Sequence, residues 1–138
     1  MEKKIVAYPW IALKTHVTAQ IKELVGDKLR FPDITEGAYP VHDSVQFQLP
    51  QDMTDEQVQF FLDQTAEHGL PIELFGHKSN ARNFVNWGFA PATDPLPQTA
   101  KMLNRAADCR LPLVWDDSDF DDIANVTCES LEAALASE

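Results

Sequence analysis

From Met53 to Phe75 the chain reads MTDEQVQFFLDQTAEHGLPIELF, a stretch in which the start, the period and the stop of a helix coincide and a strand follows at once. Thr54 stands where an N-cap belongs, and Gln57, three residues on, completes a capping box. Val58, Phe61, Leu62 and Thr65 share one helical face, and Gly69 supplies the terminator. PIELF then reads as a short strand with Ile72 and Leu74 inward. Ahead of the helix, Val41, Val45, Phe47 and Leu49 alternate with His42, Ser44, Gln46 and Gln48, which predicts a strand with one wet face. A capped helix between two strands predicts a right-handed β-α-β crossover, with the two strands running parallel.

The flanking segments extend this pattern. Trp10, Leu13, Val17, Ile21, Leu24 and Val25 recur at three- and four-residue steps and predict an amphipathic helix over about 10–29, ended by Pro32 and the run PDITEGAYP. From Gly76 to Pro97 no period is sustained, although Phe84, Trp87 and Phe89 are large residues for a loop, and long irregular loops are often functional. A short helix over about 98–107 precedes a third strand, in which Cys109, Leu111, Leu113 and Trp115 alternate with Arg110, Pro112 and Val114. Pro112 cannot donate to a ladder, which predicts an edge position for this strand. Phe120, Ile123, Ala124, Thr127, Leu131, Ala134 and Leu135 trace one face of a closing helix. The expected architecture is α/β (α+β): one small domain over residues 1–138, structured from about 10 to 135, in the order α-β-α-β-loop-α-β-α. Its helices pack on a three-stranded mixed sheet.

Composition narrows the function classes. The 138 residues suffice for a single core burying roughly 68% of the unfolded surface. A net charge of −11, with eleven scattered Lys and Arg, argues against nucleic acid as a partner. Apolar runs fall short of a membrane span, and the start MEKKIVAYPW lacks the apolar core of a secretion signal, so the expectation is a cytoplasmic protein with no membrane partner. Cys109 and Cys128 have neither CxxC spacing nor paired histidines, so two reduced, partly buried thiols are expected.

The acidic run WDDSDFDDI, Trp115 to Ile123, admits two readings. Asp117, Asp119 and Asp121 copy the opening of an EF-hand loop, but the sixth position is Asp122 instead of Gly and the twelfth is Cys128 instead of Glu. Helix initiation explains the run better: Ser118 is the expected N-cap, and acids in a first turn face the positive end of the helix dipole. No metal site is expected.

No GxGxxG, P-loop, HExxH or GxSxG is present, and motifs alone identify no catalytic residue. His16, His42 and His68 are dispersed over regular elements, whereas His77 stands in FGHKSNARNFVNW among Lys78, Ser79, Asn80, Arg82 and Asn83, with Phe84 and Trp87 following. An arginine fork beside aromatics suits a carboxylate or phosphate on a small molecule; the competing reading is an arginine that only ties the loop to backbone carbonyls. His77, Asn80, Arg82 and Trp87 are therefore the candidate substrate-binding residues.

The strand VHDSVQFQLP, the capped helix, the aromatic loop and the ending LPQTAKMLNRAADCRLPLVWDDSDFDDIANVTCESL, taken in order, resemble the C-terminal small domain of the DegT/StrS-type aminotransferases. These are fold-type I enzymes dependent on pyridoxal phosphate. The resemblance runs from about residue 10 to 135 and is carried most by Leu96-Pro97, a helix, RLPLVW and an acidic-capped helix. It implies a substrate-side domain that closes over a large domain or subunit bearing the cofactor lysine, and a chain inactive by itself. No cofactor is then expected in the isolated chain, because none of its seven lysines stands in a buried cofactor setting; Lys78, in the loop, comes nearest. The family's small-domain histidine is matched only loosely by His77, without the Tyr-Pro that follows it, while Arg82 with Trp87 resembles the loop of one branch. Homodimerisation is open. The rival reading is a free-standing module that binds a small molecule or protein with the same fold and no transaminase chemistry.

Overall fold

The computed structural model describes the backbone of residues 2–38, 43–90, 95–111 and 117–137, and the side chains of these except residues 2–13 and 117. Helix α1, Glu2–Val25, is longer at its start and shorter at its end than the sequence period predicts. Gly26 takes φ 58° and turns the chain into a 3-10 turn, Gly26–Lys28. Val17, Ile21 and Val25 form the buried stripe, whereas Leu24, assigned to the same stripe, is 51% exposed; Leu29 enters the core from beyond the turn. The side chains of Trp10 and Leu13 lie outside the described residues.

Strand β1, Ser44–Gln48, follows, with Val45, Phe47 and Leu49 buried on the core side; Val41 and His42 lie outside the described residues. Helix α2, Asp55–Glu67, begins with the expected capping box: Thr54 Oγ1 accepts from Gln57 N at 3.1 Å and Gln57 Oε1 accepts from Thr54 N at 3.1 Å. Gly69, at φ 80°, ends it, and Leu70 N donates to Thr65 O at 2.8 Å. Strand β2 is Glu73–Leu74. A 3-10 turn at Phe84–Asn86 is the regular element of the long loop, and α3, Pro97–Leu103, carries Pro97 in its first turn, where a missing N–H costs nothing.

Strand β3, Ala106–Arg110, departs most from expectation. It starts three residues before Cys109, inside the span assigned to the third helix, and lies at the centre of the sheet, whose order is β1-β3-β2. Ala-Ala-Asp carries no β propensity and continues a helical pattern; pairing on both edges overrides it, and Ala107, fully buried, lets the helices approach closely. The described strand ends at Arg110, and Pro112, Leu113, Val114 and Trp115, assigned to it from the sequence, lie outside the described residues. Strands β1 and β2 run in one direction, as the crossover requires, but do not pair. With β3 between them and antiparallel to both, the three-stranded sheet is antiparallel throughout and not mixed.

Helix α4, Asp117–Ala136, packs across α1 and α2. Ser118, the expected N-cap, is instead its second residue. Residues 117, 119 and 121 belong to a helix and not to a calcium-loop conformation, and among the described residues no acidic or histidine cluster could hold a metal. The core is centred on Phe47, whose ring meets Phe31 at 6.3 Å and Phe61 at 6.5 Å, both edge-on. Cys109 and Cys128 are buried free thiols. Burial, then the neighbouring Asp108, pushes the Cys109 thiol up to about 12, and burial pushes Cys128 up to about 11, so neither is a thiolate at neutral pH.

Candidate functional site

The sheet face turned away from the core is polar along one row. Register places Gln46 and Glu73 on either side of Asp108, at the centre of β3. Asp108 is only 2% exposed, and a buried carboxylate needs partners. Arg82 Nη2 donates to its Oδ2 at 2.9 Å, Gln46 Nε2 donates to its Oδ1 at 3.3 Å, and Arg110 Nε stands 3.7 Å from Oδ2. Arg82 Nη2 also meets Glu73 Oε2 at 3.4 Å, and Arg110 donates to Asp43 at 3.0 Å. The Arg82 guanidinium lies over the Phe75 ring, 4.4 Å from its centroid.

Loop 76–90 is fastened by three asparagines spaced three apart. Asn80 Nδ2 donates to Leu74 O at 2.9 Å while its Oδ1 accepts from Arg82 N at 2.9 Å. Asn83, buried, donates to Gly76 O at 2.8 Å and accepts from Val85 N at 3.3 Å. Asn86 donates to the carbonyls of Lys78 and Asn80, each at 2.9 Å. The loop's first turn abuts α3: a Cβ on Gly76 would lie 2.7 Å from Asn104 N and from Leu103 C, backbone that cannot yield cheaply. His77 Nδ1 accepts from Ser79 N at 3.3 Å and lies 2.6 Å from Ser79 Oγ, which puts the ring proton of the neutral form on Nε2.

The four candidate residues are only partly brought together. His77 and Asn80 line one open cleft of about 410 Å³, with Leu62, Ile72 and Glu73 on its other walls. Arg82 reaches this cleft indirectly, through Glu73, and is committed to Asp108. Trp87 stands apart: its Nε1 donates to Ala81 O at 2.9 Å and its ring stacks on Phe89, centroids 5.9 Å apart, with Phe89 85% exposed. Sequence reasoning missed Asp108, Gln46 and Glu73, which set the charge of this face. A correct placement of β3 would have marked Asp108 as a carboxylate in mid-strand.

Arg82 thus serves as a brace, yet not all of it is consumed. Both ion pairs use Nη2; Nη1 and Nε make no hydrogen bond among the described residues, and the side chain is 38% exposed. Both forks of a guanidinium, Nη1/Nη2 and Nε/Nη2, share Nη2, which Asp108 and Glu73 occupy, so Nη1 and Nε point apart and each offers a carboxylate a single bond, while the two acids offset much of the positive charge it would meet. The five lysines whose side chains are described do not fit a Schiff base. Lys22, Lys28, Lys78 and Lys101 are exposed and Lys14 is half-buried, whereas such an amine needs a desolvated pocket.

No family model matches the sequence, and no curated protein matches it. Among solved structures, the fold is similar to part of the aminotransferase TlmJ from Streptoalloteichus hindustanus, with a TM-score of 0.63 at 13% identity. The similarity covers 88% of this chain and 32% of that one, so the chain spans about a third of the aminotransferase's length. The fold is therefore α+β, four helices with a three-stranded antiparallel sheet, and corresponds to part of an aminotransferase structure. Among the described residues no helix is long and apolar enough to cross a membrane.

Proposed function

We propose that this chain is the small, substrate-side domain of a pyridoxal-phosphate-dependent aminotransferase, acting with a separate or contiguous large domain that carries the cofactor. The observation that supports the reading is the structural likeness to about a third of such an enzyme. Pyridoxal phosphate would supply the electron sink for amino transfer, held elsewhere than on the lysines described here. The residues of this chain bind and orient: His77 and Asn80 line the cleft, and Arg82, fixed by Asp108 and Glu73 through Nη2, offers a substrate carboxylate a single hydrogen bond from Nη1 or Nε. Docking of the loop against a second domain would exclude water from the cleft.

A test is to express the chain together with the reading frames that flank it, reduce the purified product with borohydride and map the adduct by mass spectrometry. The reading expects a phosphopyridoxyl-lysine on a polypeptide or chain extension that purifies in fixed ratio with this domain. Purification of the chain alone, with no such lysine encoded beside it, contradicts it. The second reading, a free-standing binding module with this fold and no transaminase chemistry, is favoured by one observation: the two carboxylates that neutralise Arg82 weaken it as an anion receptor. That same negative outcome would select it.

A further inference from the structure

A groove of about 720 Å³ runs between α1 and the extended segment 31–38, on the β1 side of the molecule, and neither the aminotransferase reading nor the loop makes use of it. Its helical wall carries Lys14, Thr18 and Lys22, at i, i+4 and i+8, so the two ammonium-bearing residues stand roughly 12 Å apart along one stripe. Its opposite wall carries Phe31, Pro32, Ile34 and Ala38 beside the polar Asp33 and Thr35. Phe31 packs edge-on against Phe47 at 6.3 Å, Pro32 has its φ locked, and Ile34 turns 61% of its surface to solvent. Lys22 Nζ is held over the Phe31 ring, 5.3 Å from the centroid, where the two walls meet.

Arg82, Arg105 and Arg110 are each matched by a carboxylate, and Lys28 approaches Glu132 at 3.9 Å. Lys14 and Lys22 have no carboxylate partner among the described residues, although the chain as a whole carries −11. Among the described residues Arg30, Lys78 and Lys101 also have no carboxylate partner, but Lys14 and Lys22 are the two such cations that line this groove. Asp33 is the one acid among the described residues lining the groove. A concave, largely apolar, pre-formed wall with a few convergent charges is the usual make-up of a small-molecule site. We infer that this groove binds an elongated anion with an apolar body, its carboxylate at Lys14 or Lys22 and its hydrocarbon against Phe31 and Ile34.

The probes are 1-anilinonaphthalene-8-sulfonate, read by fluorescence on the full chain at low ionic strength, and octanoate as its competitor. Saturable binding at one site per chain is expected, displaced by octanoate and not by octylammonium. Lys14→Gln with Lys22→Gln should weaken it roughly fivefold or more, because two screened surface charges are removed. Ile34→Asp, at an exposed position, should abolish it. Equal displacement by octylammonium, a signal indifferent to these variants, or no saturable signal would each overturn the inference. Groove binding is read on the chain alone and the aminotransferase reading on the lysine adduct of the flanking domain, so the failure of one is distinguishable from the failure of the other.

Discussion

Helix α2 and loop 76–90 are both fastened by side chains that bond backbone groups, yet they arrive at opposite surfaces. In α2 the capping pair Thr54 and Gln57 acts within three residues, and the helix's stability comes from the apolar face of Val58, Phe61 and Thr65 pressed into the core. In the loop, Asn80, Asn83 and Asn86 reach back six to eight residues to the carbonyls of Leu74, Gly76, Lys78 and others, and the large residues Val85, Trp87 and Phe89 are left outside. Apolar burial holds the first region and would give way only with the whole fold. Polar bonds hold the second, which can open locally while the core persists.

That contrast can be broken at its strongest point by Phe61→Ala, which removes a fully buried ring touching Phe47 and should cost about 3–5 kcal/mol in urea unfolding, with one global transition. Asn83→Ala is next. It orphans Gly76 O and Val85 N at a buried position and should cost about 1–3 kcal/mol, with hydrogen exchange accelerated in 76–90 and unchanged in α2. Equal acceleration in both regions would show that the loop is not a separate unit. Thr54→Ala should cost about 1 kcal/mol through the lost cap, measured by the same unfolding curve.

The smallest effect concerns Asp121, at the α1–α4 contact. The hydrogen bonds from His16, at 2.8 Å, and Gln20, at 2.5 Å, hold its carboxyl below the ordinary 3.8. A carboxylate lowered in the folded state adds stability above its unfolded value, and that stability is lost as pH falls through the folded value. Acid titration of the melting temperature should therefore fall slightly more steeply below about pH 4 in the natural chain than in Asp121→Asn. Identical slopes would mean that the contact contributes nothing at this half-exposed position.

The same division explains what could be read in advance. The boundaries of α2 and the inward faces of β1 and α4 follow from short-range caps and periods, which are local properties of the chain. The place of β3 was not legible, because Ala106-Ala107-Asp108 becomes a strand only when β1 and β2 flank it. That one shift concealed Asp108, and with it the partner that decides what Arg82 does. Resemblance in the order of elements pointed to the aminotransferase small domain, and the fold agrees with part of such an enzyme. Ser118 shows the limit of cap reading: with several polar residues in a row, side-chain chemistry alone does not select which one precedes the first turn.

The central claim, that Arg82 is a braced arginine with donors left for a substrate carboxylate, is tested most directly by an NMR titration of the chain with 2-oxoglutarate, in the natural form and as Arg82→Lys. The account predicts weak, saturable shifts confined to residues around 76–83, lost in Arg82→Lys because an ammonium drawn to Asp108 and Glu73 lacks the outlying Nη1 and Nε donors of the guanidinium, while the melting curve stays close to that of the natural chain. Shifts that persist in Arg82→Lys, or a loop that does not respond to the dicarboxylate in either form, would contradict it and leave Arg82 as a structural brace alone.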